Sequence, residues 1–417
     1  MKRTIKLAVV AALSLGATSA FATNGATLIG MGAEARGMAG TGIGISHGAE
    51  SALTNPALIT SVKSTEISFG GTIFMPDVKN ENNLGGGASS ADSDADLNVI
   101  PEVSLATKIN DNFYVGIGMW GTGGMGVDYR DAKSVLAGGT QMQMVTNLQL
   151  MQFGVPLTYT TNGFSVAVTP ILQYGSLDIN YEYPGSANPS DPHSAGDTIG
   201  MGVAQDLKFG YNIGLAYTTS GFTIGAIYKS RIDMEYKGFD DVVSPFTASG
   251  YDNNKLSTPA EIGIGASYVM GAHTVAIDYK QIRWSDAKGY EDFEWDDQNV
   301  VSLGYEYKAT GWAVRLGYNY ASSPISEKTV VNPATDAPNS AGLQPGTVNT
   351  FNLLGFPAIV ESHYAIGGSY DVSDKASVDV AYTYAPEQTN TYKNFAAQDI
   401  TTKHSQQGVS VQLNYNF

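Results

Sequence analysis

The chain has 417 residues, a formal charge of −16, no Cys, 15% charged residues, 48 Gly, 24 Tyr and 15 Phe. The acidic balance excludes a nucleic-acid partner, whose phosphates need an excess of Lys and Arg, and the lack of Cys excludes disulfide staples and Cys-based zinc sites. A mean hydropathy of −0.10 is not that of a bundle of spanning helices, and no segment after the N-terminus approaches the roughly 18 apolar residues that one such helix needs.

The first element is a targeting segment. Lys2, Arg3 and Lys6 form a basic region, 7–15 is a short apolar run, and Ala20-Phe21-Ala22 is a small-x-small cleavage site. Residues 1–22 therefore read as a signal peptide removed after Ala22, which sends the chain out of the cytoplasm. Residues 23–62 follow without alternation, rich in Gly, Ala and Ser and ending in Asn55-Pro56-Ala57. They are too irregular for strands and too Gly-rich for a long helix, and read as a compact plug (a hatch) or an arm ahead of the main domain.

From residue 63 onward the pattern has period 2. Leu207, Phe209, Tyr211, Ile213, Leu215 and Tyr217 alternate with Lys208, Gly210, Asn212, Gly214, Ala216 and Thr218, and the last residues repeat this with Val409, Val411, Leu413, Tyr415 and Phe417. Such alternation sets two chemistries on opposite faces of a sheet. Short links of turn chemistry (Asn110-Asp111-Asn112, Asn162-Gly163, Ser220-Gly221, Gly271-Ala272, Thr310-Gly311 and Ser373-Asp374-Lys375) separate long ones at 76–98, 123–145, 176–206, 235–258, 285–298, 323–361 and 387–405. Short links on one rim and long links on the other predict an all-β membrane protein. Its expected form is a transmembrane β-barrel of about 14 antiparallel strands over 63–417, apolar outside and polar inside, with the hatch in the lumen. The fourth strand, near 148–159, is the least regular.

Gly116, Gly118, Gly121, Gly123 and Gly124 crowd the third strand. Strand glycines permit bulges and bends, so a kink is expected there; close packing against the hatch is the plainer alternative. The GxGxxG spacing from Gly116 opens no helix, so it is no dinucleotide fingerprint. By alternation Lys208, Lys229, Arg231, Lys280 and Arg315 face the lumen, where a cation could hold a carboxylate as a charge-assisted pair. Their plainer use is to neutralise Asp278, Glu306 and Asp379. Phe239, Val242, Val243, Pro245, Phe246 and Tyr251 make one loop apolar, either a capture surface for hydrophobic ligand or a loop packed on its neighbours. Asp92, Asp94 and Asp96 begin like a calcium loop, but Leu97 stands where that loop needs Gly. The five His show no metal-ligand spacing and there is no nucleophile elbow, so neither metal, cofactor nor catalysis is expected.

The stretch from Gly30 to Gly40, followed by Glu50-Ser51-Ala52-Leu53-Thr54-Asn55-Pro56-Ala57-Leu58, resembles the N-terminal hatch of the FadL family of outer-membrane transporters. The resemblance continues in Ser257-Thr258-Pro259-Ala260-Glu261, in Asp278-Tyr279-Lys280 leading to Trp284, in Asp374–Val380 and in the terminal Phe417. It implies a monomeric barrel in the bacterial outer membrane, among outer-membrane lipid. The barrel would take up hydrophobic small molecules, long-chain fatty acids first and aromatic hydrocarbons as the alternative, with lateral release beside a kinked third strand. The family's carboxylate-binding basic residues map onto no single position here; Lys229, Arg231, Lys280 and Arg315, with Phe239, Val243 and Phe246, are the ligand-binding candidates. A general diffusion porin and a barrel lipase are the readings from other classes.

Overall fold

The structure, a computed structural model, describes residues 23–185, 192–247 and 250–417. The signal peptide expected at 1–22 lies outside these residues. Among them the wall consists of fourteen antiparallel strands, each paired with its sequence neighbours. They are β1 Thr65–Asn83, β2 Asn98–Lys108, β3 Phe113–Asp128, β4 in two pieces (Val145–Gly154 and Leu157–Thr161), β5 Phe164–Glu182, β6 Ala204–Thr219 and β7 Phe222–Lys229. They continue as β8 Glu261–Met270, β9 His273–Ile282, β10 Gln298–Ala309, β11 Trp312–Ala321, β12 Ser362–Ser373, β13 Ala376–Lys393 and β14 Asp399–Asn416. β14 pairs with β1 from Ile400↔Asn82 to Asn416↔Glu66, which closes the ring. Closure removes the two terminal edges that an open sheet would leave in hydrocarbon. Among the described residues no helix is long and apolar enough to cross a membrane.

Alternation sets the two faces. On β6, Leu207, Phe209, Tyr211, Ile213 and Leu215 are exposed outward, while Asn212, Gly214 and Ala216 are buried. The six short links are the expected turns, but several strands run past the expected loop boundaries. β1 continues through Pro76 to Asn83 and pairs there with a short strand, Ala88–Asp92; β5 runs to Glu182, and β13 and β14 stay paired up to Lys393↔Asp399. Beyond the bilayer the outward face of β1 changes from Phe69 and Ile73 to Asp77, Lys79 and Glu81. Both faces then carry polar residues, so the apolar-out pattern that marks a membrane strand ends before the strand does. β4 breaks at Val155-Pro156, since proline supplies no N–H for a ladder; the Pro156 carbonyl instead accepts from Gly116 N at 3.0 Å.

The lumen is polar only in part. In the half nearer the short turns the inward residues include Ser68, Ser104 and Gln412. Nearer the long loops, Phe74, Val78, Leu148, Leu150, Ile171, Leu177 and Ile179 point inward and join one apolar cluster with loop residues. A loop helix, Pro345–Leu354, sits in this half with Gly346 through Leu354 all buried.

Candidate functional site: the hatch and the wall it leans on

Residues 24–62 run inside the ring and bond to wall residues on many of its strands. The short helix Gly32–Gly37 packs on β11 to β14 and β1. Ala33 N donates to Gln412 Oε1 (3.0 Å), Gly32 N to Glu102 Oε2 (2.9 Å), and Ala49 N to Glu66 Oε1 (2.7 Å). Asp278 on β9 accepts from three successive hatch amides, Gly42 (2.7 Å), Ile43 (2.8 Å) and Gly44 (3.3 Å). A carboxylate facing consecutive N–H groups forms strong, directional bonds.

Asn55, Pro56 and Ala57 fasten the end of this segment. The Asn55 amide donates to the Ile43 carbonyl (2.7 Å) and to the Leu215 carbonyl of β6 (3.1 Å), and its Oδ1 accepts from Ala57 N as the cap of the 3-10 turn Pro56–Ser61. Thr158 donates to the Pro56 carbonyl at 2.8 Å. The wall is paved with glycine here because the hatch backbone lies against it. A Cβ on Gly225 would stand 2.8 Å from Asn55 Nδ2, and one on Gly214 2.9 Å from Pro56 Cδ.

Two buried arginines tie the hatch helix to the wall. Arg36 is held by Glu102 of β2 through both guanidinium nitrogens. Arg315 of β11 is 1% exposed and gathers Glu34 of the hatch (2.6 Å), Glu306 (2.8 Å) and Asp379 (3.8 Å). Burial disfavours the Glu34 charge, but Arg315, His47 and Lys308 outweigh it and hold its pKa at about 2. Glu50 is the opposite case. Burial first, and then the neighbouring carboxylates of Glu102, Glu34 and Asp379, push its pKa well above the ordinary value, against the pull of Arg36. Its Oε2 has no hydrogen-bond partner, and it lines a pocket too small for water with Ser68, Glu102 and Trp120.

The cations singled out in the sequence are engaged. Lys229 and Lys280 share Glu261 Oε2 at 3.5 and 3.1 Å, Arg315 is enclosed as above, Arg231 pairs with Asp233 at the loop rim (2.7 Å), and Lys208 lies 3.4 Å from Asp206. In the apolar loop, Phe239 and Val243 are buried and Phe246 half-buried. Phe246 lies within ring-contact distance of Tyr181, Tyr183, Phe351 and Phe395. This loop roofs the apolar half of the lumen rather than standing out from it.

The third strand departs from the regular wall at its glycines. β2 and β3 pair only from Lys108↔Tyr114 to Glu102↔Trp120. Beyond that point Asn98 to Pro101 pair with β1 alone, and β3 pairs with β4 alone from Gly123↔Leu150 to Asp128↔Val145. The register shifts between Gly121 and Gly123. Gly116 and Gly118 lie in the regular half, the latter beneath the Trp120 ring. The hatch takes up the freed edge: Thr27 bridges Gly123, and Gly124 N donates to the Ala26 carbonyl at 3.0 Å. Bonds from Asp94 N to the Asp128 carbonyl and from Asp128 N to Ser93 Oγ, both 2.9 Å, bound the gap on the loop side.

The profile of the outer membrane protein transport protein family (OMPP1/FadL/TodX) matches residues 8–343. The chain belongs to the FadL/TodX family. A 47 kDa outer membrane protein of Pasteurella multocida (strain Pm70) is 24% identical over 407 residues, covering 90% of this chain and 92% of that one. A Pseudomonas aeruginosa FadL homologue superposes with a TM-score of 0.68 at 14% identity over 94% of this chain and all of that one. The toluene transporter TodX of P. putida does so with a TM-score of 0.66 at 17% identity, over 93% and 99%. At these identities the solved structures establish the fold. Membership places the chain among outer-membrane transporters of hydrophobic compounds, and no enzyme appears among these relatives. The resemblance took in Glu34, Arg36, Glu50 and Asp278, but sequence reasoning assigned no role to the first three, read Asp278 as a charge to be neutralised, and did not single out Glu102. The clue to such contacts was the inward glycines Gly225, Gly263 and Gly265, which leave room for another backbone.

Proposed function

We propose that this FadL/TodX-family barrel carries uncharged hydrophobic molecules passively across the outer membrane. Ligand would pass the aromatic roof into the apolar half of the lumen and leave sideways through the gap between β2 and β3. The hatch closes that gap, so release requires Ala26 and Thr27 to give up the β3 edge. The observation that carries this reading is the unshared edge at Gly121–Asp128, where β3 loses β2 and the hatch residues Ala26 and Thr27 bond to it instead. Burial of apolar surface supplies the driving force, about 0.8 kcal/mol per CH₂.

The ligand is read as uncharged because the inward cations near the hatch, Arg36, Lys229, Lys280 and Arg315, already face acids. Fatty acids, expected first from the resemblance, fit as the neutral acid, and aromatic hydrocarbons fit as they are. The test is uptake of labelled oleate and labelled toluene by cells lacking their own hydrophobic-compound channel, carrying either this protein or its Asn55→Ala/Pro56→Ala variant. Uptake that the variant loses supports hatch-gated passage. Free passage of small sugars with no uptake of either probe would replace the reading by a general porin.

A further inference from the structure

Above the hatch helix, a chain of side chains on β12 and β14 fixes the state of one buried imidazole. The Pro357 carbonyl accepts from His404 Nδ1 at 2.9 Å. A carbonyl has no proton to give, so in the neutral ring His404 Nε2 is the acceptor, and the Gln406 amide nitrogen donates to it at 3.2 Å. That orients Gln406 Oε1 toward His363 Nε2, 3.1 Å away, which must carry the proton. What is left is His363 Nδ1, a bare lone pair that has no hydrogen-bond partner in a residue 3% exposed.

His363 lines a crevice between hatch and wall with Leu28, Ile29, Ala39 and Ile100. No carboxylate lines it, and its one charge, Arg36, is held by Glu102. Thr72, whose hydroxyl pairs with Ser410 at 2.6 Å, and Thr383 complete a lining that is otherwise mostly apolar, so the unused atom is an acceptor in largely apolar surroundings. Such a group selects strongly for a ligand that supplies the missing donor, and a hydrocarbon supplies none. As closed, the crevice has room for little more than one water, so a ligand reaches it only when Leu28, Ile29 and Ala39 yield.

We propose that His363 is a specificity-determining residue of this passage, whose Nδ1 accepts a hydrogen bond from a neutral O–H group of the ligand, a phenol, an alcohol or a protonated carboxylic acid. This rests on the hatch-gated uptake proposed above. It predicts that toluene and p-cresol, which differ by one hydroxyl, are handled differently.

The test compares uptake of labelled p-cresol and toluene by cells carrying wild type, His363→Phe or His363→Asn. Wild type should prefer p-cresol roughly tenfold, the value of one hydrogen bond to an otherwise unpaired group. His363→Phe should bring the ratio to parity while toluene uptake continues, and His363→Asn, which keeps an acceptor, should retain part of the preference. A second readout needs no variant: in purified protein labelled with ¹⁵N-histidine, p-cresol should shift the His363 Nδ1 resonance and toluene should not. Uptake of both ligands with the ratio unchanged in His363→Phe, or an Nδ1 resonance that p-cresol leaves in place because a water alone occupies the site, overturns this inference and leaves the uptake reading standing. Failure of wild type to take up either ligand overturns this inference, and failure to take up oleate as well overturns both.

Discussion

Along β5, Ser165 and Thr169 face the lumen in the half nearer the short turns, whereas Ile171, Leu177, Ile179 and Tyr181 face it nearer the loops. The outward face changes in the opposite sense, from Phe164, Val166 and Val168 to Ser176, Asp178 and Asn180. The strand thus reads as a membrane strand below and as a strand of a water-soluble protein above. Below, lipid covers the outside and the lumen is filled by a hatch held through hydrogen bonds and ion pairs. Above, water covers the outside and the lumen is filled by an apolar cluster of wall and loop side chains, with buried polar ones such as Asn80 and Thr402 among them. One region is specific and directional, the other adaptable and greasy, as a gate and a ligand passage respectively should be.

Each region should fail in its own way. The largest loss is expected from Arg315→Met, which strands Glu34, Glu306 and Asp379 without their cation; breaking such a buried set costs about 3–5 kcal/mol. It should appear in thermal unfolding and as faster exchange of hatch amides. Phe351→Ala removes a buried ring that touches Tyr181, Phe246 and Phe293. It should cost about 3 kcal/mol by leaving a cavity, with hatch exchange unchanged, because it acts only on the upper region. Asn55→Ala should cost about 1–3 kcal/mol, since it orphans the buried Ile43 carbonyl and the Ala57 N–H, and should free residues 42–57 while the barrel melts as before.

The smallest effect is a pH dependence confined to the hatch. Glu50 has a higher pKa seated than released, so the seated form keeps a proton that the released form gives up. Seating is therefore strongest below pH 4.5 and weakens as pH rises toward the raised value. Glu34 has the opposite sign, contributing fully above pH 4.5 and losing its contribution as pH falls toward about 2. Hatch exchange followed against pH should show both flanks, and Glu50→Gln should remove the alkaline one alone. An alkaline flank that survives in Glu50→Gln would assign it to another group.

The wall was legible because lipid enforces alternation: the strands around Leu207–Tyr217 and Val409–Phe417 and all six tight turns follow from period and turn chemistry. The strand extensions at Lys79–Asn83 and Asp178–Glu182 were not, since outside the bilayer the polarity rule reverses or lapses. The helix Pro345–Leu354 was missed inside a long loop. Buried on every side, it shows no amphipathic period, and only Pro345 at its first turn announced it. Of the candidate site, the Asn55-Pro56-Ala57 turn and the strand-3 glycines were visible as local backbone chemistry. The ion pairs were not, because Glu34 meets Arg315, and Arg36 meets Glu102, across separations that no spacing encodes.

The central claim, lateral release between β2 and β3, is tested most directly by filling the gap. A Cβ on Gly121 would stand 2.7 Å from Ile100 Cγ2 across it, so Gly121→Leu places a side chain in the opening without touching the hatch anchor at Asn55. The measurement is toluene and oleate uptake by cells carrying wild type or Gly121→Leu, with the variant's heat-modifiable barrel as the control for folding. The account predicts that the folded variant loses uptake of whichever probe the wild type carries. Wild-type rates in a folded Gly121→Leu barrel would contradict it and direct the ligand's exit elsewhere.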